Sequence, residues 1–338
     1  MSERTSPEVS VCIPVFNGSD YIAESIASVL GQTFKDFEVI VSDNASTDRT
    51  GEIVNGFKDA RIRYVRNARN LGLVGNANRC LELARGEYVN ILHHDDCMMP
   101  ENLERKVRVL RQHRNVGLVH SDVRLIDSGG RPISTGAWHE NTSRDYLIVG
   151  RKAFQAYLSY LPLGASIFIG AVLARRECYA RLGGFRDDLL HCNDSEMWMR
   201  IALFYDVACI GSPLVRYRVH PASTSTGWGD RPSLPFLKEH YLAARSVFER
   251  YGARIPHSRR LRRKVSKAFG NRATTFAHRA ISAGDFQFGR ECVDAARKMC
   301  PAIWKSASFW KVAAILMSGP SGLACYRFVK KRLSRANA

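Results

Sequence analysis

The chain has 338 residues, 45% of them apolar and 24% charged, the balance of a folded soluble protein with a large core. No low-complexity tract or fixed-period repeat is present, which excludes repeat architectures. The formal net charge is +18 and sits late: residues 1–220 hold 27 Lys and Arg against 26 Asp and Glu, whereas residues 221–338 hold 23 against 6. Such a segment favours acidic lipid headgroups, nucleic acid or a phosphorylated substrate. The plainer alternative is a solvated basic face with no single partner.

Nine cysteines are scattered without a C-x-x-C pair, which argues against a structural zinc site and fits a reducing compartment. The first eight residues lack an apolar stretch, so no secretory signal is expected there.

Val9 to Val15 reads as a buried, β-branched strand. Asn17-Gly18-Ser19-Asp20 gives a turn and helix cap, followed by Ile22, Ile26, Val29 and Leu30 at helical spacing. Phe37 to Ser42 is a second strand. Thr47-Asp48 caps a helix carrying Ile53, Val54 and Phe57. Ile62 to Val65 is a short third strand, and a helix from Gly75 to Ala84 leads into a strand from Tyr88 to His93. Pro100 opens a helix with Leu103, Val107 and Leu110 on one face, and Gly117 to Ser121 is the next strand. This alternation predicts βαβ units and a mostly parallel sheet.

The rhythm then changes. Arg131 to Arg151 reads as polar loop with a hairpin, Ser166 to Ala174 as an apolar strand, Asp194 to Phe204 as a helix, and Val207 to Val219 as one or two strands. Residues 233–338 read as helical and basic. The charge-free window Val312 to Tyr326 is 15 residues long and broken by Gly319-Pro320, short of the roughly 20 that a spanning helix needs. It reads either as an interfacial segment with aromatics and cations at headgroup level, or as a core helix of a small helical appendage.

Three acidic positions carry the chemistry. Asp43 follows the second strand, where a carboxylate can accept the N–H of a pyrimidine or simply form a turn. Asp95-Asp96 follow another strand. Two adjacent carboxylates repel unless a cation neutralises them, and hard oxygens suit Mg²⁺ or Mn²⁺ bridging a diphosphate. Asp194, with Glu196 nearby, can take a proton from an attacking hydroxyl, and Glu196 is either the alternative base or an exposed helix charge. His93 and His94 could touch metal or phosphate but read as hydrogen-bonded cleft residues and are assigned no ligand role; His220 could bind diphosphate, help hold the metal, or only cap a strand end. The chain lacks a G-x-G-x-x-G after its first strand, a G-x-x-x-x-G-K-[ST] loop and a G-x-S-x-G elbow, which disfavours dinucleotide oxidoreductases, P-loop enzymes and serine hydrolases.

Together these pieces resemble the family two glycosyltransferases. The matching stretches are Val11-Cys12-Ile13-Pro14-Val15-Phe16-Asn17, Ser28 to Phe34, Glu38 to Asp48, Asn70 to Leu73, and Ala84 to Tyr88 leading to Asp95-Asp96. Leu182-Gly183-Gly184-Phe185 then leads to Asp194 and Trp198. The resemblance covers about residues 8–220. It implies an α/β, GT-A-type nucleotide-binding domain, a mostly parallel sheet flanked by helices, over residues 1–230. A basic, mainly helical region would follow at 231–338. It further implies inverting transfer of a hexose from a UDP- or dTDP-sugar, with Mn²⁺ or Mg²⁺. Pro14, Val15, Asn17 and Asp43 would line the nucleotide pocket, Asp95 would lie near ribose and metal, Asp96 would be the main metal ligand, and Asp194 the base. This chain departs from the family pattern at His93, where an acid is usual, at Asn193, where Glu is usual, and at Ala77, where Arg is usual.

The acceptor expected is a glycan or polyprenyl-diphosphate-linked glycan in surface polysaccharide synthesis. The protein is expected to be cytoplasmic and peripheral on an anionic membrane face, with no nucleic-acid partner. The rival readings are a nucleic-acid-binding protein using the basic region, and a nucleotide-sugar-binding protein without turnover.

Overall fold

In the computed structural model, residues 6–133, 145–148, 151–163, 167–223, 234–319 and 321 are described, and the apolar runs become strands of one sheet. Strand β1 (Val9–Val15) is buried at every residue. It pairs in parallel with β2 (Phe37–Asp43) on one side and β4 (Tyr88–Ile91) on the other; β3 (Ile62–Arg66) continues the parallel set beyond β2. Strands buried on both faces read as continuous apolar runs, as Val9–Val15 does. Helices α1 (Ile22–Leu30), α2 (Thr50–Gly56) and α3 (Gly72–Leu83) make the crossovers. The turn into β4 is tied to β1. Ser10 Oγ accepts from Gly86 N at 2.8 Å and donates to Glu38 Oε1 at 2.7 Å, and a side chain at Gly86 would meet Ser10 N at 2.5 Å.

The remaining strands are β5 (Cys97–Met98), β6 (Val116–Ile126), β7 (Tyr146–Ile148), β8 (Val172–Arg175) and β9 (Asp206–Arg218). The sheet runs β3-β2-β1-β4-β8-β6-β9-β5, with β7 on β9; β8 runs antiparallel to β4 and β6. Helices α4 (Asn102–Gln112), α5 (Arg151–Tyr160), α6 (Arg176–Leu182) and α7 (Asn193–Phe204) complete the part up to residue 220. Ile13, Val15, Ile22, Ile26, Leu103 and Val107 belong to one buried cluster. Each such side chain contributes about 1.5–3 kcal/mol of burial.

The structure corrects one strand. The run expected at Ser166 to Ala174 becomes, from residue 167, a 3-10 turn at Ile169–Ala171 and a strand only from Val172. Side chains take the carbonyls a ladder would use. Asn90 Nδ2 donates to Gly170 O (2.9 Å) and Val172 O (2.6 Å), and Lys106 Nζ donates to Ala171 O (2.7 Å). Strand β6 runs on to Ile126. The stretch from Val207 is one strand, β9, whose register with β6 slips around Ser121–Val123, opposite Pro213, which has no N–H to give. Of the expected loop at 131–151, an Ile126–Pro132 bridge and β7 are described, and 134–144 lie outside the described residues.

The chain divides into two compact units, residues 1–157 with 165–226, and residues 158–164 with 227–338. The second holds α8 (Leu234–Tyr251), α9 (Ser258–Ser282), α10 (Phe286–Met299) and a helix over 307–319. Helix α9 comes close at Gly270, where a side chain would meet Cys300 Cβ at 2.7 Å. Phe309, Val312 and Ile315 of the last helix are buried, while Arg259, Arg260, Arg262, Arg263 and Lys264 are exposed. No described helix is long and apolar enough to cross a membrane.

Lys106 is fully buried, and burial pushes its ammonium down to about 7. Below that value folded and unfolded states both bind the proton; above it, up to the ordinary lysine range, the unfolded state binds more. Stability therefore rises with pH in that window. Urea denaturation at pH 7, 8 and 9 is expected to show the wild type gaining about 1 kcal/mol per pH unit relative to Lys106→Met.

Candidate active site

The parallel trio β2-β1-β4 delivers three loops to one edge of the sheet. The β1–α1 loop turns at Asn17, which has φ 50°. Gly18 follows because any side chain there would sit 2.5 Å from His94 Cδ2. The amides of Asn17, Gly18 and Ser19 donate to Ser46 Oγ (2.9 Å), Thr50 Oγ1 (2.9 Å) and Asp48 Oδ2 (3.0 Å). Asn17 Oδ1 accepts from Thr47 N at 2.8 Å. Helix α1 is therefore not capped by its own Asn17–Asp20 segment, as the sequence suggested; the β2–α2 loop braces the turn instead. Burial tends to raise Asp48, but bonds from Thr50 and Ser19 outweigh it and bring it to about 2. Pro14 and Val15 lie in the buried end of β1, Val15 O accepting from Asn44 N at 2.8 Å.

Asp43, at the end of β2, is fully buried. Oδ1 accepts from Ser46 N at 2.8 Å; Oδ2 accepts from Tyr64 OH and from Arg66 Nη1 at 2.9 Å. Burial raises its carboxyl, but these bonds and the Arg66 charge prevail and hold it below the usual range. A ligand reaches this carboxylate only if Tyr64 or Arg66 moves aside. The Arg66 side chain is half exposed.

Beyond β4, Asp95 and Asp96 occupy a tight turn. With His93 they form a group whose ligand atoms all lie within 4.8 Å of one another. Burial, then the neighbouring Asp95 charge, raises Asp96 well above the carboxylate range. Burial lowers His93, which favours its neutral, ligating form. The end of β9 holds this turn in place. Arg218 N donates to Asp96 Oδ1 and Arg218 Nε to Asp95 O, both at 2.9 Å, while His220 Nε2 lies 3.1 Å from Asp95 Oδ2. The buried Arg218 guanidinium also pairs with Glu24 of α1, donates to Asp127 O (3.3 Å) and Ser128 O (3.1 Å), and lies 4.7 Å over the Tyr21 ring. Two carboxylates and an imidazole are a donor set suited to a divalent cation, whose charge would offset the cost of burying Asp96.

Asp194 is the second residue of α7 and partly exposed; Ser195 N donates to its Oδ1 at 2.5 Å. Glu196 is buried and paired with Arg200 at 2.8 Å. Arg200 in turn donates to the carbonyls of Leu182 (2.6 Å), Gly183 (3.1 Å) and Gly184 (2.7 Å). Trp198 Nε1 donates to Ile167 O at 3.1 Å. That segment runs on to Gly170, where an added side chain would stand 3.5 Å from Asp96 Oδ2. Thus α7 and the acid turn brace the same connection.

The family model of Glycosyl transferase family 2 matches residues 10–160. An uncharacterized glycosyltransferase of Methanocaldococcus jannaschii is 30% identical over 224 residues, 65% of this chain and 73% of that one. The chain belongs to glycosyl transferase family 2. The putative glycosyltransferase EpsE of Bacillus subtilis is 29% identical over 202 residues, 58% of this chain and 67% of EpsE. Among solved structures, S. aureus TarS 1–349 in complex with UDP-GlcNAc is similar with TM-score 0.61 at 17% identity, covering 97% of this chain and 92% of that one. The mannosyltransferase PcManGT of Pyrobaculum calidifontis, in complex with GDP-Man and Mn²⁺, gives TM-score 0.55 at 21% identity over 96% and 88% of the two chains. These likenesses establish a GT-A fold.

For this glycosyltransferase, sequence reasoning missed Glu24, Arg66, Arg200 and Arg218. Arg200 had a readable signal, the i,i+4 spacing from Glu196. Ala77 is buried in α3, and Arg79 of the same helix pairs with Glu82 at 2.8 Å. Arg218→Met is expected to cost about 3 kcal/mol in urea denaturation, because buried carbonyls lose their donor. Glu24→Gln, at a half-exposed carboxylate, is expected to cost under about 1 kcal/mol.

Proposed function

We propose that this family member is an inverting, metal-dependent hexosyltransferase. Its donor is a UDP- or dTDP-sugar. Its acceptor is a hydroxyl of a glycan carried on a lipid such as polyprenyl diphosphate, in surface polysaccharide synthesis. It works at the cytoplasmic face of the membrane. The observation that carries this reading is the His93–Asp95–Asp96 group, set on the same sheet edge as Asp43. The complexes of TarS with UDP-GlcNAc and of PcManGT with GDP-Man and Mn²⁺ support the donor class and the divalent ion.

Pro14, Val15 and Asn17 form the floor under the nucleotide. Asp43 orients Arg66 and Tyr64 toward the base, and its own contact opens when they shift. Asp95 serves the ribose and the ion; Asp96 and His93 complete the ion's ligands. Bound there, Mn²⁺ or Mg²⁺ supplies Lewis-acid stabilisation of the departing diphosphate. Asp194 accepts the proton of the acceptor hydroxyl. The hydroxyl oxygen bonds to the anomeric carbon from the side opposite the diphosphate, whose C–O bond breaks, so the configuration inverts. Glu196 is unsuited to this step because Arg200 holds it in the interior.

A thermal-shift panel of UDP, TDP and GDP, with and without Mn²⁺, tests the binding half. Stabilisation by UDP or TDP that needs metal, and that Asp96→Asn removes, is expected; equal shifts without metal would overturn the metal assignment. Transfer assays test the base. Asp194→Asn is expected to keep nucleotide binding while losing roughly 10²–10⁴ in kcat, and wild-type turnover in that variant would refute the role.

A further inference from the structure

The helix over 307–319 in the second unit is apolar on two opposite sides. Phe309, Val312 and Ile315 are buried, which satisfies the side facing the unit's core. The other side presents Trp310, Ala314 and Met317, one helical stripe, and Trp310 and Met317 are 53% and 76% exposed. Trp304 is 55% exposed and adjoins the stripe, because Trp310 Nε1 donates to Trp304 O at 2.6 Å. A single exposed apolar residue is ordinary, but two indoles and a methionine in one strip are not.

We propose that this strip is a membrane-docking edge that inserts at the headgroup level of an anionic bilayer. Two features select this occupant. The first is charge. Lys305 lies 5.2 Å from the Trp304 ring centre, and the segment 221–338 carries 23 Lys and Arg against 6 Asp and Glu, complementary to acidic lipid. The second is the state of the indole. Trp310 has its N–H bonded within the protein, so entering the headgroup layer strands no donor. Indoles flanked by lysines are the side chains that settle at that depth. Met317 and Ala314 extend the strip with aliphatic surface, which a stacking platform for nucleic-acid bases would not use. The edge rests on the reading of a lipid-linked acceptor and gives it a mechanism: the enzyme is held where its acceptor is.

The test is flotation of the full-length protein with vesicles of phosphatidylcholine alone or with phosphatidylglycerol. Wild type is expected to bind only the anionic vesicles, more weakly at high salt. The Trp304→Ser/Trp310→Ser double variant is expected to lose about tenfold or more in partition, and Met317→Ser a smaller factor. The variants should still melt cooperatively and keep their Mn²⁺–UDP stabilisation, since these residues are at least half exposed and none is assigned to the active site. Unchanged vesicle binding in the double variant would overturn the proposal. So would loss of self-association in sedimentation, or of single-stranded DNA binding, with vesicle binding intact. If wild type binds vesicles but no nucleotide, the proposed reaction fails while the edge stands.

Discussion

The constraint on which the rest depends is the parallel alignment of β2, β1 and β4. Parallel strands end on the same side, so whatever follows them must share that edge. Val15 opposite Asp43, and Cys12 opposite Ile91, fix the stagger. The alignment concentrates loops with exposed amides, and those amides need partners. The three amides after β1 find theirs in Ser46, Thr50 and Asp48. The loop after β2 therefore builds the loop after β1, and neither has its observed shape alone.

The same alignment crowds negative charge. Asp43 is balanced within the protein by Arg66, Tyr64 and an amide, so it stays ionised although buried. Asp96 is treated differently. It receives one amide from Arg218 and remains raised by burial and by Asp95. The Arg218 guanidinium, which could have neutralised it, is spent on Asp95 O, Glu24 and two further carbonyls. Nearly the same burial thus leaves one carboxyl below its usual range and the other above it. That contrast is what the proposed metal role of Asp96 rests on.

The strands and helices up to Ser121 were legible in the sequence because their signals are local: β-branched runs, helical spacing, Pro100 before α4. The acids were legible as strand-end residues. Ile167–Ala174 was misread because its conformation is set by Asn90 and Lys106, about 65–82 residues away, which no window of spacing includes. Arg218 was missed for the same reason: Glu24 is 194 positions distant, and Arg216-Tyr217-Arg218 looks like a strand's solvent face. A weak clue did exist, since Arg218 and His220 stand two residues apart at a strand end, with acids elsewhere to receive them. That Glu196, the alternative to Asp194, is buried against Arg200 was readable only as an i,i+4 spacing.

The uneven charge of the chain follows the same division of labour. In residues 1–220 bases and acids are nearly equal in number, and several are paired: Glu8 with Arg111, Asp43 with Arg66, Glu196 with Arg200, and Glu24 with both Arg216 and Arg218. These pairs hold turns and carbonyls in place, so charge there is a tool of architecture. In residues 221–338 six acids face 23 bases, and pairing within the segment leaves most cations unmatched. Architecture gains nothing from such an excess, which raises self-repulsion. An anion outside the segment would offset that repulsion, and the extended anionic surface proposed above would offset it over the greatest area.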